Sequence, residues 1–384
     1  MAFEPNNEEE FSFDGDFVSD TKIVVFGVGG GGGNAVASMV ESNVGDVSYV
    51  VANTDVKALI NKDASKMKRI QLGRETTRGR GAGNNPLVGA ACAKENRKDI
   101  EQELDGAAMV FIAAGMGGGT GTGAAPIVAQ AAKEKDILTV GVVTKPFNYE
   151  GASMMNQALK GIQEMRQYVD ALIVIPNERI NDISDEKLTV KSAFKMVDSV
   201  LCKAVLGIIT LLNGEGYVNV DFADICMALR QSGIAHMAIG HGKGENKCKN
   251  AVDEVLHSPL LETSIDGARR GLLNISIPQS FPLDEYEQLV SEISARFNAD
   301  AEFKAGVVFD DSLGDDEVTV IAIATDFGDE MDDIIMNSRP AEDRPAAPAA
   351  NTAAAPAAST VPAPASGGDD NINDLLNLLN SYKN

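Results

Sequence analysis

The sequence predicts an α/β protein with a parallel sheet, a long central helix and a second, smaller α+β domain. Three observations indicate this class: Val/Ile-rich runs alternate with helical stretches up to residue 180, a continuous apolar helical pattern follows, and partly alternating strands come last. The 384 residues are enough for two domains with tails. The excess of 56 Asp and Glu over 33 Lys and Arg argues against a nucleic-acid backbone as the main partner.

The first domain is predicted from short apolar segments that are separated by helices. Its strands are expected at 22–26, 48–52, 108–113, 138–143 and 171–175, and its helices at 34–42, 88–104, 124–133 and 152–169. Such Val/Ile-rich strands are typical of a parallel sheet that is buried on both faces. Ligands of these sheets bind at the carboxyl ends of the strands.

The central helix is predicted at 190–212, where apolar residues cover much of the helical circumference. At 1.5 Å per residue it would run roughly 35 Å, long enough to cross one domain and reach the next. Behind it, helices are expected at 222–231 and 283–297, among strands at 271–277, 302–309 and 318–324. The predicted division is an acidic arm (1–21), a first domain (22–187), a connecting helix (188–213), an α+β domain (214–330), an Ala/Pro-rich linker (331–368) and a terminal peptide (369–384).

The two ends of the chain do not have the composition of a folded core. The arm carries seven acids and no Lys or Arg, and the linker is dominated by Ala and Pro. In the terminal peptide Ile372, Leu375, Leu376 and Leu379 share one helical face. The long linker, which is poor in core residues, favours a tethered partner-binding segment over a helix packed on the parent domain. Isolated cysteines, with no leader and no membrane span, predict a cytoplasmic protein.

Glycine-rich segments follow several of the predicted strands. The first matches Gly-x-Gly-x-x-Gly through Gly27, Gly29 and Gly32, and Asp55 ends the next strand, where a dinucleotide fold has a ribose-binding acid. Glycines at a strand-to-helix turn let backbone N–H groups approach phosphate oxygens, although a turn selected only for packing is the alternative.

A second glycine loop at 115–123 carries the hydroxyls of Thr120 and Thr122, and a third candidate lies at 79–86. Two phosphate-type loops at neighbouring strand ends suit the di- or triphosphate of a nucleotide. Neither main loop contains the Gly-Lys-Ser/Thr of a P-loop, so the lysine-centred mode of phosphate binding is excluded.

These loops carry a family resemblance. The segment 117–123, Gly-Gly-Gly-Thr-Gly-Thr-Gly, resembles the tubulin signature loop, and 27–36, Gly-Val-Gly-Gly-Gly-Gly-Gly-Asn-Ala-Val, is similar to that of bacterial relatives. The similarity continues in order through Ala-Asn-Thr-Asp at 52–55, Pro-Asn-Glu-Arg at 176–179, Asn-Val-Asp-Phe-Ala-Asp at 219–224 and Ser-Pro-Leu-Leu-Glu at 258–262. The chain is therefore identified, over about 22–327, as a member of the tubulin/FtsZ family.

The resemblance implies a tubulin-like domain that binds GTP or GDP and a chain that assembles head to tail into filaments of the division ring. The implied nucleotide-binding residues are Gly29, Gly30, Gly31, Gly32, Gly33, Asn34, Asn53, Ala82, Gly83, Gly117, Gly118, Gly119, Thr120, Gly121, Thr122, Glu150, Asn177, Phe194 and Asp198. Glu150 would contact the ribose, and the last three residues would hold the guanine. An amide, a carboxylate and an aromatic ring complement guanine chemically, although Phe194 and Asp198 also suit an ordinary packed helix.

The resemblance also implies a catalytic loop of Asn219, Asp221 and Asp224 that acts on the nucleotide of the neighbouring subunit. Spacing alone would make Asp221 and Asp224 caps of a helix that begins at Phe222. As catalytic groups, two carboxylates can orient an attacking water together with a bound cation. Assembly would then switch on GTP hydrolysis, with Mg²⁺ held through the nucleotide and not through assigned side chains.

The implied partners are other copies of the chain and, through residues 369–384, membrane-anchor and division-regulator proteins at a mid-cell ring. Neither nucleic-acid binding nor direct membrane insertion is expected. The terminal peptide lacks the Ile-Pro pair and arginine that are usual in the family, which leaves the identity of its partner open.

Two departures from the family pattern concern the phosphates. Met154 stands where the family usually has an arginine that reaches the nucleotide, so one charge-assisted contact is missing. In the third loop, Arg80 replaces a common Leu and Asn84 a common Ala. Our hypothesis is that Arg80 supplies the charge that Met154 lacks.

Two alternatives remain open from the sequence. The missing arginine allows a filament-forming paralogue that hydrolyses GTP poorly, and Gly-x-Gly-x-x-Gly with Asp55 allows an NAD-dependent oxidoreductase, against which the second glycine loop counts heavily. His236 and His241 are five residues apart without a neighbouring Cys pair, and they are interpreted as ordinary strand or loop residues in preference to metal ligands.

Overall fold

The computed structural model describes residues 21–42, 47–182, 188–213, 220–258, 261 and 264–327. The predicted linker and terminal peptide lie outside these residues, as do Asn219 and all of the acidic arm except Thr21. The described strands are β1 Ile23–Val28, β2 Val47–Asn53, β3 Lys68–Gln71, β4 Met109–Gly115, β5 Leu138–Lys145, β6 Ala171–Pro176, β7 Gly233–Lys243, β8 Arg270–Ile277, β9 Glu302–Phe309 and β10 Glu317–Thr325. The described helices are α1 Gly29–Glu41, α2 Val56–Ile60, α3 Pro86–Glu95, α4 Arg97–Leu104, α5 Thr120–Glu134, α6 Ala152–Arg166, α7 Val190–Asn213, α8 Phe222–Leu229, α9 Lys247–Leu256 and α10 Leu283–Ser294.

The described strands form one sheet in the order β3-β2-β1-β4-β5-β6-β7-β10-β8-β9. Pairing is parallel from β3 to β7, β10 runs antiparallel to both of its neighbours, and β9 is parallel to β8. The predicted class, a parallel α/β sheet followed by a smaller α+β part, is therefore confirmed. Because strand polarity is shared from β3 to β7, the loops after these strands emerge at one edge of the sheet.

The central parallel strands β1 and β4 are buried on both faces, as their apolar composition predicts. Along β1, Ile23 and Val25 belong to one hydrophobic cluster, whereas Val24, Phe26 and Val28 belong to the cluster on the opposite face. Helices α1 and α7 cover the first face, and α3, α4, α5 and α6 cover the second. A third cluster lies between β8, β10, α9 and α10 in the second half of the chain.

Helix α7 packs on both halves of the sheet. Its 24 residues correspond to about 36 Å. Leu201 and Ile208 share one cluster with Met109 of β4 and with Leu272 of β8. The side chain of Asn274 in β8 donates from Nδ2 to the carbonyl oxygen of Gly207 at 2.8 Å, which fixes the register between this helix and the second half. The predicted central helix is confirmed.

The structure differs from the sequence expectations in several places, including the start of one helix, the division of another and two elements that were not predicted. Helix α1 begins at Gly29, before the predicted residue 34, because a Cβ at Gly32 would meet the carbonyl of Ala113 and only glycines let the helix lie this close to β4. The predicted helix 88–104 is two helices that meet at Asn96, whose side chain accepts from Gly73 N. Strand β7 and helix α9 were not predicted, because glycines such as Gly240, which lies against the α9 backbone, weaken a strand pattern.

Both histidines under consideration lie on β7. His236 is buried against the ring of Phe327, and burial lowers its pKa to about 4, whereas His241 is exposed and contacts Thr319. No group of three or more potential metal-binding side chains occurs among the residues that the structure describes. Within the same residues, no helix combines the length and apolar character needed to cross a membrane.

Candidate nucleotide-binding site

The two main glycine loops lie side by side. Strands β1 and β4 are neighbours, with Val28 opposite Ala114. Helix α1 begins directly after β1, and four residues lie between the end of β4 and the start of α5. A Cβ at Gly29, which has a φ of +77°, would lie 3.0 Å from the backbone nitrogen of Gly121. Two helix N-termini therefore present their free N–H groups at one point of the sheet edge, an arrangement that attracts anions.

Neither helix satisfies its first turn with its own side chains. Val28 and Gly119, which precede α1 and α5, make no side-chain cap, and neither first turn contains an acid. A positive helix end without a side-chain cap is stabilised by a negatively charged ligand. The pair of helix starts can therefore accept more than one phosphate.

The glycines of the first loop divide into closed and open positions. Gly32 packs on the Ala113 carbonyl, so its missing side chain serves the fold. A Cβ at Gly30 would meet no protein atom within 4 Å, and one at Gly33 would meet only the Lys62 side chain, at 3.9 Å. Gly30 and Gly33 also line a cavity together with Asn34 and Asn53. These open positions leave room for a ligand to approach the backbone.

The third loop packs against the second. Gly119 lies so close to Ala82 that an added Cβ would be 2.8 Å from the Ala82 Cβ and 2.8 Å from Asn85 N. Gly83 and Asn84 both have left-handed backbones, with φ of +59° and +58°. A Cβ at Gly83 would meet no protein atom within 4 Å, so this turn presents an open backbone beside the second loop.

The threonines of the second loop are engaged within the protein. Thr122 Oγ1 accepts a hydrogen bond from Gly117 N at 2.8 Å and is buried, and Thr120 Oγ1 lies 2.7 Å from Thr54 Oγ1. Gly117 has a φ of +107°, so the Thr122 hydroxyl stabilises a turn that only glycine adopts readily. These two hydroxyls fix the shape of the loop.

The residues implied in guanine binding lie where β6 ends and α7 begins. Asn177 is 5% exposed, and its Oδ1 is buried without a hydrogen-bond partner among the described residues. Phe194 on α7 is half exposed and packs edge-on against Phe147, with ring centroids 5.5 Å apart. Helix α7 contacts the 3-10 turn Asn177–Asp182, which brings these side chains to the same part of the sheet edge.

Asp198 lies one helical turn after Phe194 on α7. Burial raises the pKa of its carboxyl to about 6, and the nearby charge of Lys62 partly opposes that shift. A half-buried acid whose charge is this poorly solvated gains from a ligand that donates hydrogen bonds to it. Guanine offers such donors at N1 and N2.

Glu150 closes the 3-10 turn Asn148–Glu150, before α6. Its Oε1 accepts from the backbone N–H of Phe147 at 2.9 Å, so this carboxylate caps the turn. Its implied contact with a ribose stays a prediction.

Lys62 is a site residue that the sequence did not reveal. Its Nζ donates to Asn34 Oδ1 at 2.9 Å, and it lines the same cavity as Gly30 and Gly33. Burial lowers the pKa of Lys62, while Asp198 acts in the opposite direction. The sequence around this lysine does not indicate a role at the site, because a lysine that follows a short helix is typical of a solvent-facing position.

Asp55 caps a helix. Its Oδ1 accepts from Lys57 N at 2.9 Å at the start of α2, and its backbone forms a bridge with Arg80. The carboxylate on which the dinucleotide alternative depends therefore has a structural partner.

Arg80 lies in the third loop at this edge, and Met154 lies at the start of α6. Arg80 is exposed, and its N–H donates to the Thr77 carbonyl at 3.2 Å. Met154 is half buried in the first turn of α6, with its carbonyl against Gly117 of the second loop. The proposed exchange of roles between these two positions stays a prediction.

The acidic pair lies elsewhere. Asp221 is exposed at the N-cap of α8 and accepts from Asp224 N at 2.7 Å, which matches the capping prediction. Helix α8 ends shortly before Gly233, which pairs with Ala171 at the amino end of β6, the edge opposite the glycine loops. Asp224 also forms an ion pair with Lys304 on β9 at 2.9 Å, a partner that the sequence did not suggest.

Two family models match the chain. The model described as the Tubulin/FtsZ family GTPase domain matches residues 22–185, and that of the FtsZ family C-terminal domain matches residues 233–328. Cell division protein FtsZ from two strains of Caulobacter vibrioides, NA1000 / CB15N and ATCC 19089, is 46% identical over 307 residues. These residues are 79% of this chain and 60% of those relatives, so the chain spans about three fifths of their length.

Solved structures are also similar to this chain. An FtsZ dimer from M. jannaschii superposes with a TM-score of 0.76 at 39% identity, covering 79% of this chain and 88% of that one. The GDP-bound monomer of CetZ1 from Haloferax volcanii gives a TM-score of 0.68 at 21% identity over 79% of this chain and 93% of the other. At that identity the second likeness bears on the fold alone.

Proposed function

This chain belongs to the FtsZ family, and from that premise we propose that it is a GTP-dependent, filament-forming cell-division protein. It binds GTP at the glycine loops, assembles head to tail, and hydrolyses GTP to GDP and phosphate at a site completed by the acidic loop of the adjacent subunit.

The observation that carries the proposal is the pair of open helix N-termini at α1 and α5. A triphosphate has several adjacent anionic groups, and two neighbouring helix starts supply several N–H donors for them. The buried Asn177 Oδ1 supports guanine as the base, because an unpartnered buried acceptor costs about 1–3 kcal/mol unless a ligand donates to it. Phe194 offers an exposed ring on the helix that contacts the turn beginning at Asn177.

The position of the acids supports hydrolysis in trans. From Asp198 to the end of α7 at Asn213 the helix runs about 22 Å, and Asp221 follows beyond that end. The acids of one subunit are therefore remote from its own glycine loops, and head-to-tail stacking would bring them to the loops of the next. There they would orient the attacking water, the positioning that phosphoryl transfer requires.

Mg²⁺ is the proposed cofactor. Magnesium usually keeps several waters and is held by substrate phosphates with one or two carboxylates. The ion would be held through the nucleotide, with no protein side chain assigned as a ligand, and it would neutralise charge on the phosphates.

The proposed partners are further copies of the chain, with membrane-anchor and division-regulator proteins at residues 369–384, which the structure does not describe. The proposed location is the cytoplasm, at the mid-cell division ring. The dinucleotide-enzyme alternative is the less favoured one, because the chain has a second glycine loop and one oxygen of the Asp55 carboxylate already caps α2.

A paralogue that polymerises but hydrolyses GTP poorly is the second candidate, because Met154 removes one positive charge from the phosphate side. GTP turnover per subunit, measured over a protein concentration series with Mg²⁺ and paired with polymer pelleting, separates the two. We expect turnover to appear above a critical concentration. Polymer that pellets with GTP but does not hydrolyse it would favour the paralogue.

Arg80→Ala is expected to weaken GTP binding roughly tenfold, because one charge-assisted hydrogen bond to a phosphate would be lost. Binding of a fluorescent GTP analogue to dilute subunits measures this effect. Arg78→Ala, which changes another exposed arginine of the same loop, is the control. Unchanged affinity of Arg80→Ala would contradict the exchange of roles with Met154.

A further inference from the structure

Lys304 contacts the acidic pair from a different element. Its Nζ lies 2.9 Å from Asp224 Oδ1, and Lys304 projects from β9, the outermost strand of the second half. The carboxylate of Asp221 is occupied by Asp224 N at 2.7 Å. Both acids raise the pKa of the Lys304 ammonium, so it stays charged beside them.

The ion pair opposes the conformation that Asp224 would otherwise favour. Asp224 is the third residue of α8, and an acid at this position commonly turns back to the backbone N–H of the N-cap residue. Among the described residues Asp224 makes no such bond, and its carboxylate is directed to Lys304. Its side chain is only 22% exposed, so the pair is less screened than an ordinary surface salt bridge.

We infer that Lys304 is a positioning residue for GTP hydrolysis, which holds the Asp224 carboxylate in the orientation that meets the nucleotide of the next subunit. The inference rests on the proposed function, because it assigns a role to a neighbour of the proposed catalytic loop. Lys304 itself does not touch the nucleotide. It acts by keeping one of the two acids from folding back onto its own helix.

The test compares Lys304→Met, which keeps the length of the side chain but removes its charge, with Lys304→Arg, which restores the charge. Lys243→Met is the matched control, since Lys243 lies on β7 and pairs with Glu317 at 2.7 Å, away from α8. We expect GTP turnover per polymerised subunit to fall about tenfold in Lys304→Met, as a misplaced catalytic group would cause. The turnover of Lys304→Arg should lie within about twofold of wild type. The turnover of Lys243→Met should equal that of wild type.

GTP affinity of dilute subunits should stay unchanged in all three variants, because the acids of a subunit do not serve its own nucleotide. Unchanged or faster turnover in Lys304→Met overturns the inference, and so does a Lys304→Arg variant that is no better than Lys304→Met. If wild type itself shows no concentration-dependent turnover, the proposed function fails. If wild type hydrolyses GTP and Lys304→Met is equally active, only the inference about Lys304 fails.

If Lys304→Met does not polymerise alone, it is tested by co-assembly with wild type. Mixed with wild type, its subunits would present a displaced Asp224 to wild-type GTP, so turnover per polymerised subunit should fall as the variant fraction rises. Thermal unfolding shows whether the variant is folded. If it is folded but is excluded from wild-type polymer, the inference is overturned, because Lys304 would then serve the contact between subunits.

Discussion

Asp221→Asn is expected to lower GTP turnover at least a hundredfold while leaving helix α8 intact. Asn caps helices as well as Asp does, so the bond to Asp224 N at 2.7 Å can persist, and only the negative charge is removed. Loss of one group that stabilises a phosphoryl-transfer transition state typically costs about 10²–10³ in rate. Turnover per polymerised subunit, with thermal unfolding as the measure of stability, tests this expectation.

The matched control is Asp310→Asn, because Asp310 also accepts a backbone hydrogen bond, from Ser312 N at 2.9 Å, in the same half of the chain. It should hydrolyse GTP like wild type. Polymers of Asp221→Asn should form with GTP and persist, since GDP would accumulate slowly in them. Wild-type turnover in Asp221→Asn would mean that Asp221 is a helix cap and nothing more.

Gly30→Ala and Gly32→Ala are expected to separate nucleotide binding from folding. A Cβ at Gly30 meets no protein atom within 4 Å, and alanine favours helices, so the stability of this variant should equal or exceed that of wild type. The added methyl would occupy the space through which a phosphate approaches the α1 backbone. We expect GTP affinity to fall at least tenfold, about 1.4 kcal/mol.

Gly32→Ala should have the opposite effect, on folding and not on nucleotide binding. Its Cβ would meet the carbonyl of Ala113, a backbone group that cannot move without shifting β4, so the free energy of unfolding should fall by about 3 kcal/mol or more. Thermal unfolding and binding of a fluorescent GTP analogue measure both effects. Full GTP affinity in Gly30→Ala would contradict a phosphate site at α1.

The same pair of variants extends the test of hydrolysis in trans. Gly30→Ala subunits retain their acids but bind GTP weakly, whereas Asp221→Asn subunits bind GTP but lack one acid. Mixed filaments would contain junctions at which GTP of an Asp221→Asn subunit meets an intact acidic loop. Turnover in the mixture should exceed the sum of the separate variants, and a merely additive rate would argue against a shared site.

Much of the fold could be predicted because burial leaves a direct mark on the sequence. Strand β1, for example, is buried along its whole length and consists almost entirely of apolar residues. The start of α1 could not be predicted, since a run of glycines has low helix propensity and the reason for the helix, close packing of Gly32 on β4, is a tertiary contact.

The candidate site shows the same division. Its glycine loops could be found because backbone approach to a ligand requires glycine locally. Lys62 and Lys304 could not, because their partners Asn34 and Asp224 are distant in the chain and a single sequence does not reveal which charges meet. The buried Asn177 acceptor likewise becomes informative only when its lack of a partner is visible.

The two outer strands of the sheet affect how copies of this chain can meet without misassembling. An unpaired strand edge can add a strand from another molecule, and a protein that works at high local concentration is especially exposed to such growth. Strand β3 is only four residues long and carries exposed Lys68 and Arg69, and β9 carries exposed Glu302 beside Lys304. Charge at both edges disfavours sideways β-pairing, so copies can crowd together without merging their sheets into insoluble aggregates.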